Sequence, residues 1–414
     1  MPGPQPNTRD AAVAIVRRLS EHGHVAYLAG GCVRDALLGR APKDYDVTTD
    51  APPDIVRGLF QHTAAVGEAF GVVLVYVPGL PGSPKHTIEV ATFRVESGYT
   101  DGRHPDQVRF TNAEEDAKRR DFTINGLFAD PAPTKDEQDR IIDFVGGQND
   151  LERGIIRAIG DPSERFGEDY LRMLRAVRFA ARLGFVIDPV TSAALRAHAR
   201  YLGQISRERI GQELQAMLTG PAPAQALELL QGHKLDGPTL NEDHQDIELP
   251  ISRALPHQAV YPARLAGWLI DRHGVTPGYT RVIERWRKAL SLSNDTRDTM
   301  KAQLTLLNDL NGWEQRPIAQ RKRRIARPVW AQTLLLYAAR RGDAGHLTED
   351  AERLASDGIG IAPQPLITGD DLIALGLKPG PRFRDLLDGA YDRQLEGGLI
   401  NTGQARDWVK GRVG

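Results

Sequence analysis

The sequence has almost no cysteine, no long hydrophobic run and almost no net charge. Its single cysteine, Cys32, excludes a disulfide within the chain and indicates a reducing compartment. The longest apolar run, Phe70 to Pro78, has nine residues, whereas a membrane-spanning helix needs about 20. The first ten residues contain no apolar core, so we expect no secretory signal. These absences predict a cytoplasmic protein that does not contact a membrane.

The remaining composition is ordinary for a protein with a buried core. Of its 414 residues, 41% are hydrophobic and 26% are charged, and 53 Lys and Arg nearly balance 54 Asp and Glu. This composition excludes wholesale disorder, a collagen-like fibre and a strongly basic architectural DNA-binding protein. A chain of this length is expected to contain about two to four domains.

The hydrophobic pattern changes about one third of the way along the chain. Helical spacing is present at 11–22, and β-branched residues typical of strands are concentrated at 72–77 and 87–93. From Leu151 onward, strand-like alternation fades and helical periodicity dominates. We therefore predict an α+β protein in which an N-terminal α/β unit of about 130–150 residues precedes an all-helical remainder.

A run of basic residues lies in the helical part of the chain. It contains no acidic residue, and its members are Arg316, Arg321, Lys322, Arg323, Arg324 and Arg327. One interpretation is the solvated face of a helix. The other is a surface for a polyanion, since even a near-neutral protein binds one when its basic residues share a face.

The first candidate site is a pair of glycines between a strand and a helix. Gly30 and Gly31 would let backbone N–H groups approach a phosphate, and a helix N-terminus favours anions. Arg34 follows on the first helical turn, where its guanidinium could contact phosphate oxygens. Taken alone, the same pattern is also that of an ordinary tight turn.

Two carboxylates follow about a dozen residues later. If residues 45–49 form a strand, Asp44 and Asp46 project from one face of it. Adjacent carboxylates are costly unless a cation neutralises them, and Mg²⁺ shared with a triphosphate is the natural partner. In the strand at 86–92, Glu89 alternates away from its apolar neighbours, so it either completes a two-metal cluster or faces solvent.

Four short motifs occur in order in the first half of the chain. They are GGxVRD from Gly30, DxD from Asp44, RRDFTIN from Arg119 and EDxxRxxR from Glu168. Together they resemble the nucleotidyltransferase family that contains the bacterial-type (class II) CCA-adding enzymes and the bacterial poly(A) polymerases. The resemblance implies a polymerase-β-like nucleotidyltransferase head followed by three all-α parts. The implied boundaries are 1–147 for the head, 148–219 for the neck, 220–330 for an RNA-binding body and 331–414 for an RNA-binding tail.

The same resemblance implies the roles of the site residues. Asp44 and Asp46 would be the metal ligands and catalytic residues. Glu89 is the candidate third catalytic carboxylate from its strand position alone, not from the resemblance. Gly31, Arg34 and Arg120 would hold the triphosphate. The implied nucleotide-binding residues are Gly30, Gly31, Arg34, Arg120, Asp121, Asp169, Arg172, Arg175 and Arg178. Within this set, Asp121 would lie near the ribose.

The chemistry of Asp169 and Arg172 suits the base edges of cytosine and adenine. Being three residues apart, they are expected to be neighbours on a helix, with an acceptor beside a donor fork. Cytosine and adenine offer an amino donor beside a ring-nitrogen acceptor, whereas uracil and guanine present the wrong polarity to the carboxylate. In the family, this pair is understood to select CTP and ATP without a template. The alternative is an ion-pair ladder on an exposed helix, continued by Arg175 and Arg178.

The resemblance implies a tRNA nucleotidyltransferase that adds C, C and A from CTP and ATP with Mg²⁺. It would contact the 3′ end and acceptor arm of tRNA, and no protein partner is inferred. The GxxFG segment at 66–71 and the polar segment at 94–110 resemble the CCA-adding members. Addition of A alone or of poly(A) is the first alternative, and a non-catalytic RNA-binding protein is the second.

Overall fold

The computed structural model describes residues 8–65, 71–77, 86–97, 107–132, 138–276 and 278–413. The chain divides into two compact units, of which the first ends at Asp246 and the second begins at Ile247. This division does not test the four predicted parts, so the boundaries at 147, 219 and 330 stay predictions.

A seven-stranded mixed sheet forms the centre of the first unit. In chain order, the strands of this unit are β1 (Ala26–Ala29), β2 (Asp46–Thr49), β3 (Thr63–Ala65), β4 (Val72–Val77), β5 (His86–Thr92), β6 (Arg94–Ser97), β7 (Gln107–Phe110), β8 (Leu127–Asp130), β9 (Arg140–Asp143), β10 (Ile155–Ile156) and β11 (Val186–Ile187). The sheet order is β3-β4-β5-β2-β1-β8-β9, and in it only the β2–β5 pair is parallel. Strands β6 and β7 form a separate antiparallel pair.

The helices of the first unit are interspersed among its strands as far as β11 and then follow one another without a further described strand. They are α1 (Thr8–Glu21), α2 (Gly31–Leu37), α3 (Pro53–Leu59), α4 (Ala113–Lys118), α5 (Gly147–Glu152), α6 (Pro162–Glu168), α7 (Leu171–Leu183), α8 (Pro189–His198), α9 (Arg207–Leu218), α10 (Pro223–Gly232) and α11 (Asp236–Leu240). The predicted N-terminal helix, glycine corner and strands are confirmed to within a few residues. The pattern was informative because each of these elements buries one face, as Ile88 and Val90 do in β5.

The all-helical prediction for the remainder misses one feature. Strands β10 and β11 form a parallel pair of two residues each, across which Ile155 pairs with Val186. Two residues are too few to show an alternating pattern, so the sequence carried no signal for this pair.

The second unit is helical throughout its described residues. Its helices are α12 (Pro250–Ala254), α13 (Tyr261–His273), α14 (Tyr279–Ala289), α15 (Asn294–Asp309), α16 (Ile318–Ile325), α17 (Trp330–Arg341), α18 (Gly345–Ala355), α19 (Gly369–Ala374), α20 (Pro381–Leu395) and α21 (Thr402–Val413). Trp268 and Trp286 are fully buried with ring centroids 5.2 Å apart, so both rings pack in the core of this unit. Among the described helices, none is long and apolar enough to cross a membrane.

Candidate active site

The predicted carboxylates meet at one end of the central sheet. Asp46 begins β2 and is paired with Ala29, the last residue of β1, on one side. On its other side, Asp46 lies directly opposite Glu89 of the parallel strand β5. Side chains at paired positions of neighbouring strands point to the same face. The sheet register therefore places Glu89 beside Asp46, and Asp44 precedes them in the segment that leads into β2.

These carboxylates carry negative charge that the protein does not neutralise by pairing. Burial and the nearby charges of Glu89 and Asp44 raise the pKa of Asp46 to about 6, and Arg120 only partly offsets them. Within the described ranges, none of the three carboxylates forms an ion pair. Unpaired, mutually repelling carboxylates fit a cation.

The protein side chains alone do not make a complete metal site. No group of three or more His, Cys, Asp and Glu side chains in the described ranges is arranged to hold a metal ion. Mg²⁺ is usually held by one or two carboxylates together with substrate phosphates and water. Asp44 and Asp46 match this incomplete set.

Backbone geometry explains the first glycine of the corner. Gly30 has a φ of +70°, which L side chains rarely adopt, and a Cβ there would lie 3.0 Å from Nη1 of Arg120. Its N–H donates to the carbonyl of Leu127, which ties the corner to β8. The helix that follows is short, so the corner offers an anion only the backbone amides of the first helical turn.

Arg34 is more deeply buried than a phosphate-binding role predicts. Its side chain is 4% exposed, and it forms an ion pair with Asp35 at 2.6 Å. It also donates to Asn125 Oδ1 at 2.6 Å and lies 5.1 Å from the centroid of the Phe179 ring. Arg34 therefore borders the site with its hydrogen bonds directed to protein atoms.

The RRD motif is held by a network of charged hydrogen bonds. Arg120 pairs with the buried Asp116 at 3.0 Å. Asp121 accepts hydrogen bonds from the side chains of Asn125 and Arg175 at 3.0 and 2.8 Å. Burial alone would raise the pKa of Asp121, but Arg175 and Asn125 hold it below its ordinary value. The Asp121 carboxylate is therefore ionised and already holds two cavity side chains in place.

One correction concerns the helix on which the base-reading pair was expected. Helix α6 ends at Glu168 and α7 begins at Leu171, so Asp169 lies in extended backbone between two helices. The expectation that Asp169 and Arg172 share a helix is wrong. The break arises because the Asp169 carboxylate accepts the N–H of Leu171 at 3.0 Å and so caps α7 from outside it.

The two members of this pair have separate partners. Asp169 Oδ2 accepts from Arg209 of α9 at 2.6 Å. Arg172 forms an ion pair with Glu168 and donates to the carbonyl of Arg165 at 2.9 Å. An ion-pair ladder between Asp169 and Arg172 is therefore absent from this part of the structure.

Arg175 and Arg178 extend the site along α7. Arg175 pairs with Asp121 at 2.8 Å, and this carboxylate raises the pKa of the guanidinium. Arg178 pairs with Glu213 of α9 at 2.6 Å. Both guanidinium groups lie over the Phe179 ring, 5.3 and 4.6 Å from its centroid.

All twelve predicted site residues line one cavity of about 700 Å³ in the first unit. Eight arginines and five carboxylates border it. A larger cavity of about 890 Å³ is bordered by α1, α3 and β4, and it contains none of the predicted residues. The sequence motifs therefore converge in space as predicted, although the cavity alone does not test the role of each residue.

Several residues of the cavity were missed by the sequence reasoning. Arg94, Arg119, Asn125 and Arg182 border it as well. Arg182 lies one helical turn after Arg178, so its spacing could have identified it. Neither Arg209 nor Glu213, which hold Asp169 and Arg178 from α9, had any such signal, because their contacts exist only in the folded chain.

Two further features of the sequence concern Cys32 and the segments that resemble the family. Cys32 is buried, and burial raises the pKa of its thiol, which is typical of an unreactive cysteine. Most of the segments 66–71 and 94–110, which favoured a CCA-adding member of the family, lie outside the described residues.

Comparison with known proteins agrees with the geometry. The family model of the poly A polymerase head domain matches residues 26–157, and that of the probable RNA and SrmB-binding site of polymerase A matches residues 184–236. The CCA-adding enzyme of Levilactobacillus brevis is 35% identical over 402 residues, which are 96% of each chain. That of Geobacillus stearothermophilus is 34% identical over 94% of this chain and 93% of its own.

A solved structure supports the same assignment. The crystal structure of the Bacillus stearothermophilus CCA-adding enzyme in complex with CTP is similar to this chain with a TM-score of 0.78. The two chains are 32% identical, and the match covers 97% of this chain and 96% of the other. The chain therefore belongs to the family of the CCA-adding enzymes and is a nucleotidyltransferase.

Proposed function

We propose that this nucleotidyltransferase adds C, C and A to the 3′ end of tRNA, using CTP and ATP without a nucleic-acid template. The observation that carries the proposal is the single cavity in which unpaired carboxylates, a set of arginines and the Asp169 carboxylate come together. The relative crystallised with CTP and the relatives named CCA-adding enzymes support this choice of nucleotides and product.

Asp44 and Asp46 would hold Mg²⁺, and Glu89 is the proposed third carboxylate. When bound, two such ions activate the 3′-hydroxyl and neutralise charge on the leaving pyrophosphate. The register that places Glu89 beside Asp46 supports its inclusion, since a carboxylate there adds negative charge where cations are needed.

The arginines of the cavity would bind the triphosphate. Arg120, Arg175 and Arg178 are each held by a carboxylate, so their guanidinium groups are positioned before a nucleotide arrives. Preorganised donors stabilise developing negative charge without reorganising during the reaction. Arg34 donates a hydrogen bond to Asn125, which also borders the cavity, and would support the site through that contact.

Asp121 would act mainly as a positioning residue. Its two carboxylate oxygens already accept from Asn125 and Arg175, so it fixes one of the arginines proposed to bind the triphosphate. Contact with the ribose stays a prediction for this residue.

Asp169 and Arg172 would read the base edge. Arg209 and the Leu171 amide hold the Asp169 carboxylate at the cavity wall, where it would accept the amino group of cytosine or adenine. Arg172, held by Glu168, would donate to the ring nitrogen. Because the discriminating groups belong to the protein, no template strand is required.

The helical parts of the chain would bind the 3′ end and acceptor arm of tRNA by shape and phosphate contacts. The matched RNA-binding family model at residues 184–236 supports this proposal. The cytoplasmic location stays a prediction.

A primer-extension experiment tests the function. The protein is incubated with tRNA that ends before CCA and, separately, with tRNA that ends in CC, with each single nucleotide and with CTP plus ATP. Full CCA addition is the expected result. Transfer of A onto the CC-ending tRNA alone would replace the proposal with A addition, and long A tails on generic RNA would replace it with poly(A) synthesis.

A further inference from the structure

A second cavity of about 440 Å³ adjoins the candidate active site. It shares Arg178 and Arg182 with the larger cavity, and both arginines lie on α7, one turn apart. Arg40 and Lys43, from the segment that leads into Asp44, complete its basic lining. We name this cavity the basic groove and define it by these four cations.

The charge of the basic groove is of one sign. No carboxylate borders it among the described residues. Arg178 and Arg182 pair with Glu213 and Asp35, which are not part of its lining. Arg40 and Lys43 are exposed and have no ion-pair partner in the described part of the chain, so two positive charges are left unneutralised. Such a cavity attracts an anion.

The opposite wall indicates the kind of anion. It is formed by small residues at the end of α9 and just after it, among them Ala216, Gly220 and Ala222. No aromatic ring borders the groove among the described residues. Sites for single-stranded RNA combine basic residues with aromatic rings on which bases stack. Four cations around a small space without such rings fit a compact polyanion better than an extended strand.

We propose that the basic groove receives the inorganic pyrophosphate released by the reaction, an inference that rests on the proposed function. In that reaction the RNA 3′-oxygen bonds to the α-phosphorus of the nucleotide. The bond from this phosphorus to the bridging oxygen breaks, and pyrophosphate leaves with the electron pair. The 3′-hydroxyl proton is lost to solvent.

The position of the groove supports this role. Arg178 and Arg182 border both cavities, so an anion that leaves the arginine-lined site along α7 exchanges partners without crossing an uncharged gap. Arg40 and Lys43 then offer two further cations that no carboxylate occupies. A stepwise path of this kind lowers the barrier to separating a highly charged product from the site.

The test removes the two unpaired charges and leaves the candidate active site intact. The double variant R40Q/K43Q is compared with the full-length protein and with R40K/K43R, which keeps both charges. A matched control, K118Q/R140Q, removes two exposed cations of the N-terminal part that border none of the described cavities. Binding of inorganic pyrophosphate is measured by calorimetry at low salt with EDTA. Its inhibition of CMP and AMP incorporation is measured with Mg²⁺.

We expect R40Q/K43Q to bind pyrophosphate about tenfold more weakly and to be inhibited by it about tenfold less, since each charged contact contributes modestly at an exposed site. The KM values for CTP and ATP and the affinity for tRNA should stay within about twofold, and R40K/K43R should resemble the unmodified protein.

Unchanged pyrophosphate binding and inhibition would overturn the proposal. So would a loss of tRNA affinity with a shallower salt dependence, which would identify the groove as an RNA-backbone surface. Absence of CMP and AMP incorporation by the unmodified protein would instead refute the proposed function. The calorimetric result is independent of that outcome.

Discussion

Basic residues are concentrated in two regions of this protein, and the regions differ in how the folded chain brings them together. In the candidate active site, arginines from four separate segments of the chain converge on one open cavity. On α16 of the second unit, the basic residues are consecutive in sequence, and most of them pair with carboxylates of their own unit. Both regions pair their basic residues with carboxylates, but of the two only the candidate active site gathers such residues around a described cavity.

The pairing of α16 is extensive. Lys322 is fully buried, and its Nζ lies 2.6 Å from a carboxylate oxygen of Asp357. The other pairs of the run are Arg321 with Asp350, Arg323 with Asp388 and Asp392, and Arg324 with Asp309. The solvated-face interpretation is wrong for the buried Lys322, whereas the three arginines stay partly exposed within their ion pairs. A run of one charge sign does not reveal its partners, because they come from distant positions in the chain.

The largest effect is expected from the unpaired carboxylates of the active site. Asp46→Asn should lower turnover by about 1,000-fold or more, since it removes a proposed metal ligand worth several kcal/mol in the transition state. Affinity for tRNA should change only a few-fold, because the helical parts supply that contact. Single-turnover CMP incorporation and a filter-binding assay measure the two quantities.

The matched control for this variant is Asp54→Asn. Asp54 is an exposed carboxylate paired with Arg57 outside the cavity, and its loss should leave turnover unchanged. Turnover of Asp46→Asn within tenfold of the unmodified protein would contradict the assignment of this carboxylate.

The paired region should respond in stability instead of activity. Asp357→Ala leaves the buried Lys322 ammonium without its partner and should lower the free energy of unfolding of the second unit by about 2–4 kcal/mol. Lys322→Met removes the charge but keeps the volume, so its effect should stay below about 1.5 kcal/mol. Denaturant unfolding measures both.

A control variant and the pH dependence of stability test this prediction further. Asp298→Ala, which removes an exposed carboxylate next to Arg297, should leave the free energy of unfolding nearly unchanged. Burial alone would raise the pKa of Asp357, but the charge of the Lys322 ammonium and hydrogen bonds from two backbone amides hold it below its ordinary value. The stability that this pair contributes is therefore present above about pH 4 and is lost at lower pH. Equal costs for the Asp357 and Lys322 variants would mean that the buried charge is not responsible.

A smaller effect is expected on nucleotide selectivity. Asp169→Ala should relax discrimination against UTP and GTP by about tenfold, because the carboxylate that rejects them is gone. Arg209→Ala removes the same ion pair but keeps that carboxylate. If Asp169 only stabilises the fold, both variants will lower the melting temperature alike and leave the preference for CTP and ATP unchanged. Incorporation of each of the four nucleotides measures the ratios.

The smallest effect concerns the stability of the metal-free protein. The pKa of Asp46 is raised to about 6, so ionisation of this carboxyl costs more in the folded than in the unfolded chain. Asp46→Asn should therefore stabilise the protein at pH 7.5 in EDTA, by at most about 1 kcal/mol, because the carboxylate borders an open cavity in which solvent screens the neighbouring charges. The gain should vanish below about pH 4. A gain that persists there would assign the effect to packing instead of charge.

The sequence by itself determined the fold class, the order of the first elements and twelve of the residues that border the cavity. Strand β4 was predicted at its observed bounds, and the strand at β5 to within one residue, because each strand buries alternate residues against the sheet. The glycine corner and the DxD pair were recognisable because their chemistry depends on residue types at short spacing. Such local patterns do not need the folded chain to be detected.

Only the tertiary structure decided which charges are paired and where each side chain points. A parallel strand pair places Glu89 beside Asp46. Asp169 lies between two helices instead of within one, and its carboxylate pairs with Arg209. The tertiary structure also buries Lys322 against Asp357 within a run that the sequence presents as uniformly basic. The physical reason is that electrostatic energy depends on distance and burial, and both are set by contacts between residues far apart in the sequence.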